Sequence, residues 1–209
     1  MHPITNVLFD LGVVLLNIDS APALQKILPL CDPHRGAGSL QFFSLLQRDP
    51  TVAEYECGRL SAQELFRHFV MLTGFRGTFP QFRDIWCGIF SENQPMIAFA
   101  RELAARYDTY IWSNAGDLHV PWVYERFPAL QFFKGDAISC YLGEVKPNRA
   151  FYVKALAKFS LRAADCLFID DRPENVASAR ECGIEALLYS SADECLAAVR
   201  ARLNGTAGG

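Results

Sequence analysis

Two short apolar runs in this chain each end on aspartate: Val7-Leu8-Phe9-Asp10 near the start, and Cys166-Leu167-Phe168-Ile169-Asp170-Asp171 near the end. A continuous apolar run of this length reads as a strand buried on both faces, the habit of parallel sheets in α/β folds. Ligands gather beyond the carboxyl ends of such strands, so the pattern predicts three carboxylates in one crevice. Like charges brought together out of water repel and are costly to desolvate. The group is stable only if a cation or raised pKa values relieve it. An all-oxygen set without His or Cys partners suits a hard divalent ion, with Mg2+ the obvious candidate.

The rest of the chain fits that frame. From about Ser20 to Ser91 there is no clear strand, only helix-like windows with polar breaks. The clearest start is Ser61 with Glu64 three residues on, the capping-box spacing, followed by Leu65, Phe66, Phe69, Val70 and Leu72 at helical intervals. From Pro95 the pattern alternates: a helix to about Arg106, strand Thr109–Trp112, a helix near Leu118–Glu125, an apolar Leu130–Phe133 run and a helix near Arg149–Phe159. Strand Cys166–Ile169, a helix over Pro173–Glu181 stopped by Gly183, strand Ile184–Leu188 and a final helix over Asp193–Leu203 complete it. Such alternation predicts an α/β fold, a Rossmann-like parallel sheet with helices on both faces, with a small helical cap inserted after the first strand. The expected division is a core of residues 1–19 and 92–209 and a cap of residues 20–91.

Composition narrows the function classes. With 209 residues, 51% hydrophobic and 21% charged, the chain can bury a sizeable core. A net charge of -3 and no Lys/Arg-rich run leave no basic footprint for nucleic acid. No apolar stretch approaches the roughly 18–20 residues of a membrane span, and no basic start leads into a signal-type apolar segment. The seven cysteines lack a C-x-x-C pair, which fits reduced thiols and a cytoplasmic location. The oligomeric state leaves no trace in the sequence.

Four stations fall at strand ends or just beyond: Asp10 in FDLGVV, Ser113-Asn114 in IWSNAG, Lys146 in GEVKPN and Asp170-Asp171 in FIDDRPEN. A carboxylate can act as nucleophile, a hydroxyl and backbone N–H groups can hold phosphoryl oxygens, a lysine can neutralise an anion, and acidic residues can hold Mg2+. Together they describe phosphoryl transfer. Each has a plainer reading: Asp170-Asp171 before Arg172-Pro173 could cap a helix, Ser113-Asn114 could be a polar turn, and Lys146 a solvated lysine. Trp86, Phe90, Trp112 and Trp122 read as core.

With the four stations in this order, the chain resembles the haloacid dehalogenase superfamily of mostly magnesium-dependent phosphatases. It is most similar to the branch of the glucose-1-phosphate phosphatases and the N-terminal domains of soluble epoxide hydrolases. The resemblance includes a cap segment, Glu56-Cys57-Gly58-Arg59-Leu60-Ser61. It implies that Asp10 is the nucleophile that becomes an aspartyl-phosphate and also a metal ligand, with the Gly12 carbonyl as a second ligand. Asp171 would be the direct ligand of the fourth motif, and Asp170 would hold a metal-bound water, unless the two exchange roles. Ser113 and Asn114 would bind the phosphoryl group, and Lys146 would pair with it and with Asp10. The implied activity is Mg2+-dependent hydrolysis of small phosphate monoesters, sugar phosphates favoured, the partner being a small phosphorylated metabolite.

One position departs from the family. Most phosphatases of the superfamily place an acid–base aspartate two residues after the nucleophile, where this chain has Gly12. Acid–base help of this kind is typically worth about 10²–10⁴-fold. Asp19 and His119 are the nearest substitutes, although a helix cap before Ala21-Pro22 explains Asp19 and a structural role explains His119. Two alternatives follow: a 2-haloacid dehalogenase, which needs no metal and gains nothing from doubled carboxylates, and a weak or inactive binding or regulatory relative. Cap residues Glu54, Tyr55, Glu56 and Arg59 are candidates to face the site.

Overall fold

In the computed structural model, which describes residues 3–35 and 49–204, strand β1 (Asn6–Phe9) lies at the centre of a five-stranded parallel sheet. The others are β4 (Asp108–Ser113), β5 (Gly135–Ile138), β6 (Cys166–Asp170) and β7 (Glu185–Leu188), in the order β5-β4-β1-β6-β7. The chain fills one side of β1 with β4 and β5, then crosses to fill the other with β6 and β7. The carboxyl ends of β4, β1 and β6 therefore share the crevice where the winding changes direction. Phe9 pairs in register with Ile111 on one side and Ile169 on the other, so Asp10, Ser113 and Asp170 leave the sheet at nearly one level.

The two-residue period of the strands sorts their side chains into two cores. Val7, Phe9, Ile111, Leu167 and Ile169 pack with Met96, Ile97, Phe99 and Leu103 of α5 (Gln94–Ala104) and with Val199 and Leu203 of α10 (Ala192–Asn204). Leu8, Tyr110, Trp112 and Phe168 face the opposite way, onto Phe151, Tyr152 and Ala155 of α8 (Arg149–Phe159) and Val176 and Ala179 of α9 (Pro173–Glu181).

A third core lies outside the sheet. Helices α1 (Ala21–Ile27), α2 (Pro50–Glu56), α3 (Ala62–Thr73) and α4 (Phe79–Cys87) bury Ile27, Tyr55, Leu65, Phe69, Phe75 and Phe82 among themselves. Phe69 and Phe82 lie 4.9 Å apart between ring centres. The expected capping box starts α3, with Ser61 N donating to Glu64 Oε2 at 2.8 Å and Glu64 N to Ser61 Oγ at 3.3 Å. A second box at Thr78 and Gln81 starts α4. Residues 36–48 of the expected insert lie outside the described residues.

Two readings need correction. The chain leaves and re-enters the sheet domain through an antiparallel ribbon of β2 (Leu16–Ile18) and β3 (Phe90–Glu92), with Ile18 opposite Phe90, where no strands were expected. Three residues are too few to show a period. The apolar run Leu130–Phe133 belongs to a 3₁₀ turn and the bend after it, where Phe132 and Phe133 stack; the edge strand β5 follows at Gly135. Gly135 and Asp136 are poor strand formers and hid it. Helices α6 (His119–Arg126) and α7 (Ser139–Leu142) complete the fold; α7 is a single turn. Among the described residues no helix is long and apolar enough to cross a membrane.

Candidate active site

Lys146 organises the crevice. Its ammonium donates to Asp10 Oδ1 at 2.7 Å, Asp170 Oδ2 at 2.6 Å and the Trp112 carbonyl at 2.8 Å, which engages all three protons. Its side chain is 1% exposed, so this is no solvated surface lysine. Burial alone would lower its pKa, but the two carboxylates outweigh it and hold Lys146 above the usual lysine value. Asn114 fixes the lysine from behind: its amide donates to the Lys146 carbonyl at 2.9 Å, and its Oδ1 accepts from Lys146 N at 2.8 Å.

The three carboxylates differ in freedom. Asp170 is fully buried and accepts from Asn175 Nδ2 at 2.9 and 3.0 Å and from Arg172 N at 2.9 Å, besides Lys146. Asp171 is half-buried, and burial followed by the charge of Asp170 raises its pKa. Burial also pushes Asp10 up to about 7, with Asp170 and Asp171 adding to it against the pull of Lys146. Neither aspartate serves as N-cap of α9; that position is Arg172, without a side-chain cap bond. Lys146, with Arg172 beside Asp171, against three carboxylates leaves an excess of negative charge in the crevice.

A hard cation fits this set. Asp10, Asp170 and Asp171 can each offer an oxygen, all within 4.8 Å of one another. Gly12 lies two residues past Asp10, its carbonyl accepting from Val14 N at 2.6 Å in a tight turn that sets Val13 at φ 62°. A β-branched residue in that left-handed region is a strained conformation, of the kind that clusters at functional sites.

Two adjoining cavities open from the crevice. The larger, about 680 Å³, is lined by Asp10, Ser113, Lys146, Asp171, Arg172 and Asn175 among others. The smaller, about 230 Å³, is walled chiefly by apolar groups, including Leu11, Trp86, Ile89, Phe90 and Ala115, with His119 beside them. Trp112 is buried in the core and Trp122 packs on Phe127 at 5.9 Å, as expected; Trp86 and Phe90 also pack against the cores and, besides, line this cavity.

Neither substitute acid borders the larger cavity that holds Asp10. Asp19 accepts from Ala21 N at 2.9 Å at the start of α1 and borders neither cavity. His119 stacks on Trp86; burial pushes its pKa down to about 4, against a hydrogen bond with the Trp86 backbone, so it is neutral at physiological pH. Of the four cap candidates, Glu54 and Arg59 pair with each other on the surface, and Tyr55 is buried with its hydroxyl accepting from Leu118 N at 2.8 Å. Only Glu56 borders the cavities. The sequence signal for Asn175 is its place in FIDDRPEN, five residues from Asp170 across the start of α9.

A parallel sheet with a carboxylate, a buried lysine and paired aspartates at its carboxyl edge defines a hydrolase of the α/β class with an aspartate at its centre. The sequence signature of the haloacid dehalogenase-like hydrolases matches residues 4–183, and the chain belongs to that family. It is 26% identical over 191 residues to the D-ribitol-5-phosphate phosphatase of Bacteroides thetaiotaomicron, covering 87% of this chain and 90% of that one. It is 27% identical over 146 residues to the chloroplast flavin mononucleotide hydrolase 1 of Arabidopsis thaliana, covering 67% of this chain and 57% of the plant protein. Among solved structures, a HAD-like hydrolase of Porphyromonas gingivalis superposes with a TM-score of 0.82 at 24% identity, over 97% of this chain and 98% of its own. A family enzyme of B. thetaiotaomicron in complex with magnesium and inorganic phosphate gives 0.77 at 22% identity, over 90% and 94%. The chain is thus a hydrolase of this family.

Proposed function

We propose that this protein is a Mg2+-dependent phosphatase of small phosphate monoesters that works through an aspartyl-phosphate on Asp10. The observation that carries the reading is the buried Lys146 ammonium held between Asp10 and Asp170, with Asp171 bordering the same cavity. Mg2+ would be held by Asp10, Asp171 and the Gly12 carbonyl, with Asp170 behind, and would supply charge that keeps Asp10 ionised and draws in a phosphoryl group. Lys146 takes one Asp10 oxygen, which leaves the other to attack phosphorus. The bond from phosphorus to the ester oxygen breaks, the alcohol departs, and water then hydrolyses the acyl phosphate. Ser113, whose hydroxyl among the described residues makes only a 3.5 Å contact to the Asn114 carbonyl, has a proton to offer a phosphoryl oxygen. The Asn114 side chain is engaged with Lys146, so its part is to position that lysine and to present its backbone N–H. A 2-haloacid dehalogenase has no use for the Asp170-Asp171 pair.

The described residues of the 20–91 insert serve in this reading as a cap over the crevice that excludes bulk water and restricts the substrate to small esters. Sugar phosphates are supported by the ribitol-5-phosphate relative. The apolar wall with Trp86 and Phe90 favours, as a second reading, esters with an apolar or aromatic face, in line with the flavin mononucleotide relative. Phosphate release from a panel of both kinds, with Mg2+ and with a chelator, tests the proposal. Metal-dependent release is expected; equal release in the chelator, or none from any ester, would sink it.

A further inference from the structure

The two cavities share six residues: Gly12, Ile18, Val52, Glu56, Ser113 and Asn114. The shared zone joins the phosphoryl side of the site to the apolar side, so the bond cleaved in any ester that occupies both must cross it. Among those six, Glu56 is the one that carries a carboxyl, a group able to give and take a proton. Resting on the phosphatase reading above, we propose that Glu56 is the proton donor and acceptor at the scissile P–O bond, in place of the side chain that Gly12 lacks, with an apolar leaving group seated in the smaller cavity.

The cavity's size suits such a group. A dry space of about 150 Å³ walled by Leu, Ile and Phe holds benzene, and 230 Å³ with Trp86, Phe90 and Ile89 in the wall holds a substituted ring. Glu56 ends α2 and is placed by its backbone: Ser139 Oγ donates to the Glu56 carbonyl at 2.6 Å, and the Cys57 thiol to the Gly143 carbonyl at 3.3 Å. Its carboxyl makes no side-chain hydrogen bond among the described residues. Burial pushes its pKa up to about 7 against the opposing charge of Arg172, so both proton states are within reach near neutral pH. The other charged groups around the larger cavity have other tasks: Lys146 has no proton to spare, Asp10 is the nucleophile, Asp171 belongs to the cation and Arg172 keeps its proton. Gly12 is not dictated by space, since a Cβ there meets only the flexible tip of Ile18, at 3.1 Å.

The proton balance closes over two steps. As an Asp10 oxygen bonds to phosphorus, the ester P–O bond breaks, its electron pair stays on the leaving oxygen, and that oxygen takes the Glu56 proton. The Glu56 carboxylate then takes a proton from water as the water oxygen bonds to phosphorus and the Asp10–phosphorus bond breaks. The products are alcohol, inorganic phosphate and the starting enzyme.

The test compares 2-phenylethyl phosphate with p-nitrophenyl phosphate, which both carry a ring but differ in how much their leaving oxygens need a proton. Glu56→Gln should lower kcat/KM for the phenylethyl ester about 10²–10⁴-fold and leave that for the nitrophenyl ester within about tenfold, with kcat falling for both because the water step also loses its base. Glu56→Asp, which keeps a carboxyl, should retain a ratio between the esters close to that of the wild type. An equal loss on both esters, or no loss on either, overturns the proton role. No release from either ester by the wild type overturns the phosphatase reading and this inference with it.

Discussion

Lys146 is the residue on which the site depends, because its buried ammonium bridges the Asp10 and Asp170 carboxylates. Breaking a buried pair by removing one partner typically costs about 3–5 kcal/mol, so Lys146→Met should lower unfolding free energy by that order in urea melts and abolish turnover. Undiminished stability would contradict the buried ion pairs of Lys146. His119 gives a prediction with a definite sign. Its folded pKa, about 4, lies below the ordinary value of 6.5, so the unfolded chain binds the proton first. The stability it contributes is present above pH 6.5 and is lost as pH falls towards 4. Its loss over that window is of order 3 kcal/mol. His119→Phe should therefore show a shallower decline than the wild type between pH 6.5 and 4; parallel declines would refute the buried neutral imidazole.

At the scale of elements, what could be read from the sequence depended on length and period. β1, β4 and β6 announce themselves because burial on both faces makes them continuous apolar runs, and α3 because its capping box precedes a helical stripe. β2 and β3 were hidden by their three-residue lengths, and β5 by Gly135-Asp136. Asp10, Lys146 and Asp170 were legible as strand-end or loop polar residues, whereas the aim of Glu56 was not, since it depends on how the end of α2 meets α7. Gly58 makes that contact: it sits at φ +74°, and a Cβ there would lie 2.1 Å from the Cys140 carbonyl oxygen, a backbone atom that cannot step aside. Gly58→Ala should cost more than the 1–2 kcal/mol of a left-handed residue alone and lower kcat/KM by shifting Glu56, measured by denaturation and ester hydrolysis on the same sample. Ser61→Ala, which removes a cap remote from the site, should cost about 1 kcal/mol and leave kcat/KM unchanged.

For the whole molecule, the account joins two bodies of packing, the sheet with its two cores and the aromatic cluster of α1–α4, around one charged crevice. Three carboxylates there oppose folding until a cation relieves them, so Mg2+ should raise the Tm of the wild type and barely change that of Asp171→Asn. An equal rise in both would place the ion elsewhere. The central claim is the covalent intermediate, and its most direct measurement is to quench the enzyme during turnover of a phosphate ester, reduce the acyl phosphate with borohydride and map the modified peptide. The account predicts modification at position 10 in the wild type and neither modification nor phosphate release in Asp10→Asn. Turnover without a phosphorylated Asp10 peptide, or undiminished release by Asp10→Asn, would contradict it.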